Sequence, residues 1–318
     1  MSANSESQFF SRPPLFFVDR VPSFVEEDYY YREVKRHQIL NMISLARTMG
    51  WRRVTSETET HIQRYIADPI RTMFLELVSI FPGEKVLDLG AGWGSLSMQI
   101  AKRYDAEVFA FDKTLEGLLF LNVVKEQERL SNLHIARVDA ADIPMPDKSI
   151  DVAIIIGVLE WAGESMKSMS PLQAQLKLLG EIKRLLRKGG RLVVGIENRY
   201  GYKYLRGKRD HSGVRFSSVM PKSLANSYMK ARYGREYRTY IYSESGYRNL
   251  FLNQTGFKSM ETFVTAPNYR YPEAISDLKS TREMMYAAHK KKDRKWFRLL
   301  PDSLLAKIVP SYFFVLEK

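Results

Sequence analysis

Short apolar runs of strand length alternate with longer stretches of helical period through the middle of the chain. Val86-Leu87-Asp88-Leu89, Val108-Phe109-Ala110-Phe111, residues 133–138, residues 150–156 and Leu192-Val193-Val194 are nearly continuous in apolar side chains, as strands buried on both faces of a parallel sheet must be. Between them, residues 93–104, 114–129 and 171–186 carry apolar positions at helical spacing. Strand and helix in alternation imply right-handed crossovers and a doubly wound, mostly parallel α/β sheet. Residues 1–25 mix Ser, Pro and Phe and predict an arm laid across the domain rather than a helix. Helices are expected over 26–49, 56–67 and from Pro69, a good first helical position, to about residue 80. The chain is thereby divided into an N-terminal arm and helical lid (1–80) and a main domain (81–318), with insertions at 198–240 and 265–310.

The stretch from Val86 to Gly94 reads as a buried strand running into a glycine turn and then a helix. Gly90, Gly92 and Gly94 let the backbone approach a ligand where any Cβ would clash. The next apolar run ends in Asp112, 22 residues after Gly90, where an acid meets ribose hydroxyls. A dinucleotide turn, G-x-G-x-x-G, needs a glycine where Ser95 stands, and Asp88 just before the turn would repel a pyrophosphate. The phosphate-loop pattern G-x-x-x-x-G-K-[ST] is absent. A positively charged nucleoside without phosphate fits best, and S-adenosylmethionine is that ligand. Asp88, Leu89, Gly90, Ala91, Gly92, Gly94 and Asp112 are the expected cofactor residues. No metal is implied, because there is no Cys and the five His show no ligand spacing.

These residues resemble the class I S-adenosylmethionine-dependent methyltransferases, and the resemblance runs in order over residues 84–197. Asp139-Ala140 is similar to the family's adenine-contacting element, and the segment Ser149 to Glu160 to its fourth strand and the loop facing the transferable methyl. Residues 178–194, with Lys188-Gly189-Gly190 as the turn, resemble its helix and fifth strand, and residues 311–317 the antiparallel strand that closes a seven-stranded Rossmann-like sheet. The resemblance adds Lys113, Asp139, Ala140 and Gly157 to the cofactor set and places Glu160 and Trp161 beside the methyl. The patterns Gly195 to Tyr204, Asp210-His211-Ser212-Gly213 and Tyr237 to Tyr240 are similar to a bacterial and archaeal subgroup linked to surface-glycan and lipopolysaccharide biosynthesis, which implies a glycan-type acceptor.

Charge sharpens this picture. The chain has 318 residues, 45% of them hydrophobic, and a net charge of +13. Residues 198–240 hold eleven basic residues against Asp210 and Glu236, interleaved with seven tyrosines. This is either a solvated face or a site for a phosphorylated or acidic acceptor, using Arg199, Tyr200, Arg206, Lys208 and Arg209 with Trp161. His211 is the expected general base, with Asp210 or another carboxylate orienting it and Glu160 as the second catalytic candidate. His289-Lys290-Lys291-Lys292 followed by Trp296, Phe297, Leu299 and Leu300 suits a membrane surface, although packing on its own domain is the favoured reading. With no apolar run of spanning length and no secretory pattern, a cytoplasmic location is expected, with peripheral membrane contact as an open reading. RNA is the alternative acceptor, since tyrosine and arginine interleave here. Against it, Ile156-Gly157-Val158-Leu159 lacks the Asn/Asp-Pro-Pro-aromatic element of base-amino methyltransferases, and a chain without Cys cannot be a 5-methylpyrimidine enzyme. A non-catalytic module that keeps the fold as a scaffold is disfavoured by the intact glycines and Asp112.

Overall fold

The computed structural model describes residues 7–30, 34–288, 297 and 299–318. The chain forms two compact units, one of Met1–Leu75, Ser79–Ile154 and Glu181–Gly190, the other of Glu76–Val78, Ile155–Gly180 and Arg191–Lys318.

In the first unit the strands are β1 (Phe16–Val18), β2 (Val21–Ser23), β3 (Glu84–Leu89), β4 (Ala106–Asp112), β5 (Leu133–Arg137) and β6 (Ile150–Ile156), which carries the chain into the second unit. Their order is β1-β2-β5-β4-β3-β6, parallel from β2 to β6. Val86, Leu87, Val108, Phe109, Ala110 and Phe111 are fully buried, as their continuous apolar runs require. Helices α1 (Arg36–Met49), α2 (Trp51–Ser56) and α3 (Thr60–Ala67), then a 3-10 segment Pro69–Leu77, precede β3. Helices α4 (Ser95–Arg103) and α5 (Leu115–Glu128) follow β3 and β4, one or two residues inside their expected limits. The N-terminal helices are latched to α5: Gln127 donates to the Ala46 carbonyl and accepts from the Trp51 amide, and the Trp51 indole donates to Glu128.

The second unit holds β7 (Leu186–Glu197, which begins in the first unit), β8 (Ser259–Ala266), β9 (Ala274–Asp277) and β10 (Ser311–Glu317), in the antiparallel order β7-β10-β8-β9. Its helices are α6 (Ala162–Ser165), α7 (Pro171–Leu185, ending in the first unit), α8 (Tyr202–Leu205), α9 (Lys222–Tyr233), α10 (Glu244–Arg248), α11 (Thr281–Ala288) and α12 (Asp302–Ile308). Helix α10 is continued by a π-helical segment, Asn249–Gln254.

The sheet counts ten strands, which corrects the expected seven. The additions are β9, in the insertion expected to be helical, and the hairpin β1–β2, formed by the arm expected to lie across the domain. Arg137 explains the arm. This buried guanidinium donates to the carbonyls of Val25, Glu27 and Lys113, and the Phe24 amide donates to the Arg137 carbonyl, so the arm is drawn alongside β5. The basic run 289–292 and Trp296 lie outside the described residues.

One close approach fixes the glycine turn. Gly117 of α5 packs so near the turn that a Cβ there would stand 2.4 Å from the Gly92 carbonyl oxygen. Gly117→Ala gains about 1 kcal/mol of helix propensity but overpacks against backbone, which costs about 1–3 kcal/mol. Since backbone cannot swing aside as a side chain can, net destabilisation is expected in urea denaturation, together with weakened S-adenosylmethionine binding. A variant more stable than wild type would show that α5 can shift freely away from the turn.

Candidate functional site

The residues expected to hold the cofactor in the first unit lie at the carboxyl ends of adjacent strands β3, β4 and β5. Gly90, Gly92 and Gly94 all have positive φ (82°, 56° and 77°), a conformation that side chains resist. Gly94 is packed, since a Cβ there would lie 2.2 Å from Leu121, whereas the space over Gly92 is open. The amides of the turn are turned inward. Gly90 N and Ala91 N both donate to the Phe111 carbonyl (2.7 and 3.0 Å), and Gly92 N donates to Asp112 Oδ2 (2.8 Å). Asp112 Oδ1 accepts from Thr114 N at 2.7 Å, so one carboxylate ties the glycine turn to the end of β4. Burial raises the Asp112 pKa, opposed by these N–H donors.

Asp88 and Leu89 are buried, and the Ser97 hydroxyl at the start of α4 donates to Asp88 Oδ2 at 2.5 Å. Burial pushes the Asp88 carboxyl up to about 6, with the Ser97 bond opposing. Lys113 Nζ bridges Asp139 Oδ2 (2.9 Å) and Glu27 Oε2 (3.2 Å), and Asp139 Oδ1 accepts from Ala141 N (2.9 Å), next to Ala140. The open space over Gly92, beside Asp112, suits a nucleoside with ribose hydroxyls.

A second cluster lies in the other unit. Gly157, after β6, has φ +71° and donates to the Gly195 carbonyl at 2.9 Å; Tyr269 lies so close that a Cβ on Gly157 would be 2.7 Å from its hydroxyl. The Tyr269 hydroxyl donates to Glu160 Oε1 (3.0 Å). Glu160 is fully buried, its Oε2 has no hydrogen-bond partner, and burial raises its pKa despite His211 nearby. His211 stands beside it, with Nε2 2.9 Å from Glu197 Oε2 and 3.5 Å from Glu160 Oε1. The angles are those of a close charge contact rather than of a formed hydrogen bond. The Trp161 ring packs edge-on against the imidazole, with centroids 4.9 Å apart. Glu197 also receives Lys203 Nζ and the Tyr204 hydroxyl from α8. Burial would raise its pKa, but Lys203 and His211 overcome that and hold it far below the usual carboxylate range. His211 is shifted upward: burial alone would lower it, and Glu197 first, then Glu160, outweigh burial.

Asp210, expected to orient His211, does not. Its Oδ1 accepts from the amide and hydroxyl of Ser212 (2.8 and 2.5 Å), and its Oδ2 accepts from the Tyr237 hydroxyl (3.2 Å). An acid two residues before a serine saturates itself locally in an Asx turn. Among the expected acceptor residues, Arg199 points its guanidinium at the carbonyls of Ser218, Val219 and Met220, with Tyr200 stacked on it at 4.9 Å. Arg206, Lys208 and Arg209 are exposed. Sequence reasoning missed Glu197, Lys203, Tyr204 and Tyr269 as site residues. Glu197 carried a usable signal, an acid closing an apolar strand as Asp112 does; Tyr269 carried none.

A family model described as a methyltransferase domain matches residues 80–208. A demethylmenaquinone methyltransferase of Tropheryma whipplei is 31% identical over 120 residues, 37% of this chain and 44% of that protein. The domain is an S-adenosylmethionine-dependent methyltransferase. S-adenosylmethionine is accordingly its cofactor, and the turn, Asp112 and Asp139 are the residues suited to hold it. A Haemophilus influenzae protein with no assigned function is 24% identical over 226 residues, covering 69% of this chain and 79% of its own length. The methyltransferase domain shares its fold with Haemonchus contortus phosphoethanolamine N-methyltransferase 2 bound to S-adenosyl-L-methionine (TM-score 0.51, 15% identity, 91% of this chain and 61% of that one). The chain spans less than half the length of the Tropheryma enzyme it matches. Among the described residues no helix is long and apolar enough to cross a membrane, and no group of acidic and histidine residues could hold a metal ion.

Two measurements follow from this geometry. Asp112→Ala removes charge-assisted bonds worth about 1.5–3 kcal/mol, so calorimetry should show S-adenosylmethionine binding weakened roughly tenfold to a hundredfold. Wild-type affinity in the variant would remove Asp112 from the cofactor site. The second concerns pH. The His211 contribution to stability is fully present below about 6.5 and fades as pH rises through its elevated folded pKa, while the Glu197 contribution is present above about 4.5 and fades as pH falls through its depressed one. A double-mutant cycle of His211→Ala and Glu197→Gln in urea should therefore give a coupling of about 0.5–3 kcal/mol near pH 5.5 and a smaller one at pH 9. Equal coupling at both would mean that the contact is not ionic.

Proposed function

We propose that this chain methylates a hydroxyl group on an acidic, glycan-type acceptor, with His211 as the general base. The observation that supports this reading is the environment of the imidazole. Two carboxylates face Nε2, and among the described residues Nδ1 makes no hydrogen bond. A neutral imidazole between two anions keeps its proton on Nε2, which leaves the Nδ1 lone pair free to accept another. This is the division of labour in a histidine–carboxylate pair: the anion fixes the tautomer and stabilises the imidazolium, and the opposite nitrogen does the proton transfer. Glu197 supplies the anion and is kept ionised by Lys203. Glu160, 3.5 Å from the same nitrogen, adds a second negative charge once the imidazolium forms. Trp161 packs edge-on against one side of the ring.

S-adenosylmethionine, when bound, supplies an electrophilic methyl on a sulfonium. The protein contributes alignment, exclusion of water and a place for the acceptor's proton. A sugar hydroxyl needs that last contribution, since it is a poor nucleophile until its proton leaves. The exposed Lys208 and Arg209, close to His211 in the chain, suit an acceptor that carries phosphate or carboxylate.

His211→Ala should lower kcat by at least about a hundredfold while cofactor binding survives. In the wild type, kcat/KM should rise with pH through a value above 6.5, since the carboxylates raise the histidine's pKa. Glu197→Gln should move that rise to lower pH. A pH profile identical in all three proteins would assign the proton transfer to another group.

A further inference from the structure

The loop that carries His211 has an outward face that proton transfer does not use. Its inner side is held rigidly. Asp210, Ser212, Val214 and Ser217 are buried, the Ser212 and Ser217 hydroxyls are 2.9 Å apart, and Arg235 donates to the Ser212 carbonyl at 2.6 Å. The two arms of the loop meet in an antiparallel bridge between Arg209 and Arg215. Outward from this frame stand Lys208, Arg209, Arg215 and Phe216, with Leu205 at the start of the loop. Asp210 is the one acid among residues 205–216, and it is buried in hydrogen bonds, so the exposed face is cationic and apolar throughout.

Phe216 is the pointed observation. It is 46% exposed, its φ is +64°, and its ring lies over Gly207, where a Cβ would be 3.2 Å from it. A bulky aromatic residue in the left-handed region is disfavoured, and exposing its ring to water gains nothing in folding. Leu205, 44% exposed, adds a second apolar side chain. Helix α9, which packs on Val214 of the same loop through Ala225 and Met229, leaves Leu224 and Tyr228, one helical turn apart, exposed as well.

Apolar side chains beside exposed cations, on a loop whose single acid is buried, match a bilayer surface that carries anionic headgroups. A nucleic acid would use the cations and could stack on Phe216, but it offers nothing to Leu205 or Leu224. We propose that the loop 205–216 docks on an anionic membrane surface and so presents His211, two residues from Arg209, to an acceptor hydroxyl borne by a lipid. The docking stands on the exposed face alone; the lipid-borne acceptor rests also on the reading of His211 as base.

The test is co-sedimentation of the full chain with vesicles of phosphatidylcholine, with and without phosphatidylglycerol. Binding is expected only with the anionic lipid and should weaken as salt is raised. Each cation near the surface accounts for about a fivefold change in affinity, so Arg215→Ser combined with Phe216→Asn should weaken binding by about tenfold or more. Asparagine tolerates positive φ, so Phe216→Asn alone should unfold no earlier than wild type and still bind more weakly. Leu299→Ser, a change at an 82% exposed leucine in the 265–310 insertion, should leave binding unaltered. Equal binding to neutral vesicles, unchanged binding by both loop variants, loss of binding in Leu299→Ser alone, or tighter binding to a single-stranded RNA oligonucleotide than to the vesicles would each overturn the proposal. If vesicle binding follows these expectations while the pH profile ignores His211, docking stands and only the base assignment falls.

Discussion

The arrangement of the second unit depends on an ionised carboxylate at the end of a buried strand. Glu197 closes β7 with its side chain only 10% exposed, and a lone anion at that depth would be unfavourable by several kcal/mol. The chain answers with two donors, Lys203 and Tyr204 from the short helix α8, and with the imidazole of His211 in close charge contact from the loop beyond it. The Tyr247 hydroxyl donates to the Glu197 carbonyl from α10, so main chain and side chain of one residue gather three separate segments. The consequence runs outward. Because Glu197 must be neutralised, residues 198–211 fold back over the end of β7, and the imidazole reaches the buried Glu160 as part of that return.

The same requirement explains how the basic composition is used. Eleven cations between residues 198 and 240 read in the sequence as one acceptor-binding field, yet several of them are internal fasteners. Arg199 gathers the carbonyls of residues 218–220, and Arg238 those of Gly163, Met166, Lys167 and Met169, while Lys203 neutralises Glu197. Loops without regular ladders leave carbonyls unpaired, and a planar guanidinium with five donors can satisfy several at once. Composition counts such residues as surface charge, and only coordinates separate them from Lys208, Arg209 and Arg215, which face solvent.

Legibility in the sequence followed the range of the physics involved. The strands β3 to β7 and their helices were readable because burial on two faces writes itself as a continuous apolar run. The turn was readable because positive φ at residues 90, 92 and 94 demands glycine. The hairpin β1–β2 was not, since it depends on one buried arginine, Arg137, meeting carbonyls more than a hundred residues away in the chain. For a related reason the first-named partner of the candidate base His211 is not the acid that faces it. Adjacency in sequence favoured Asp210, but an acid followed by Ser212 closes on its own backbone, and the acids that face His211 arrive from the ends of two strands. Tyr269, which bonds Glu160 from a loop 109 residues away, left no local trace.

The cofactor assignment gains its firmest physical support from what the glycine turn does with its amides. A phosphate-binding turn points backbone N–H groups at the ligand, and the helix that follows adds its positive end. Here Gly90 N and Ala91 N both donate to the Phe111 carbonyl and Gly92 N donates to Asp112, so three successive donors are engaged by the protein itself. Asp88 stands immediately behind the turn, and even with its pKa raised to about 6 it is mostly ionised at neutral pH. A pyrophosphate at this position would meet carboxylates and few free amides. A ligand with an ammonium, a sulfonium and ribose hydroxyls meets carboxylates that attract it and an open space over Gly92 that admits it. The discrimination lies in the direction of the donors rather than in the number of glycines, and a Rossmann-like fold thereby excludes the dinucleotides that the same strand-turn-helix unit binds elsewhere.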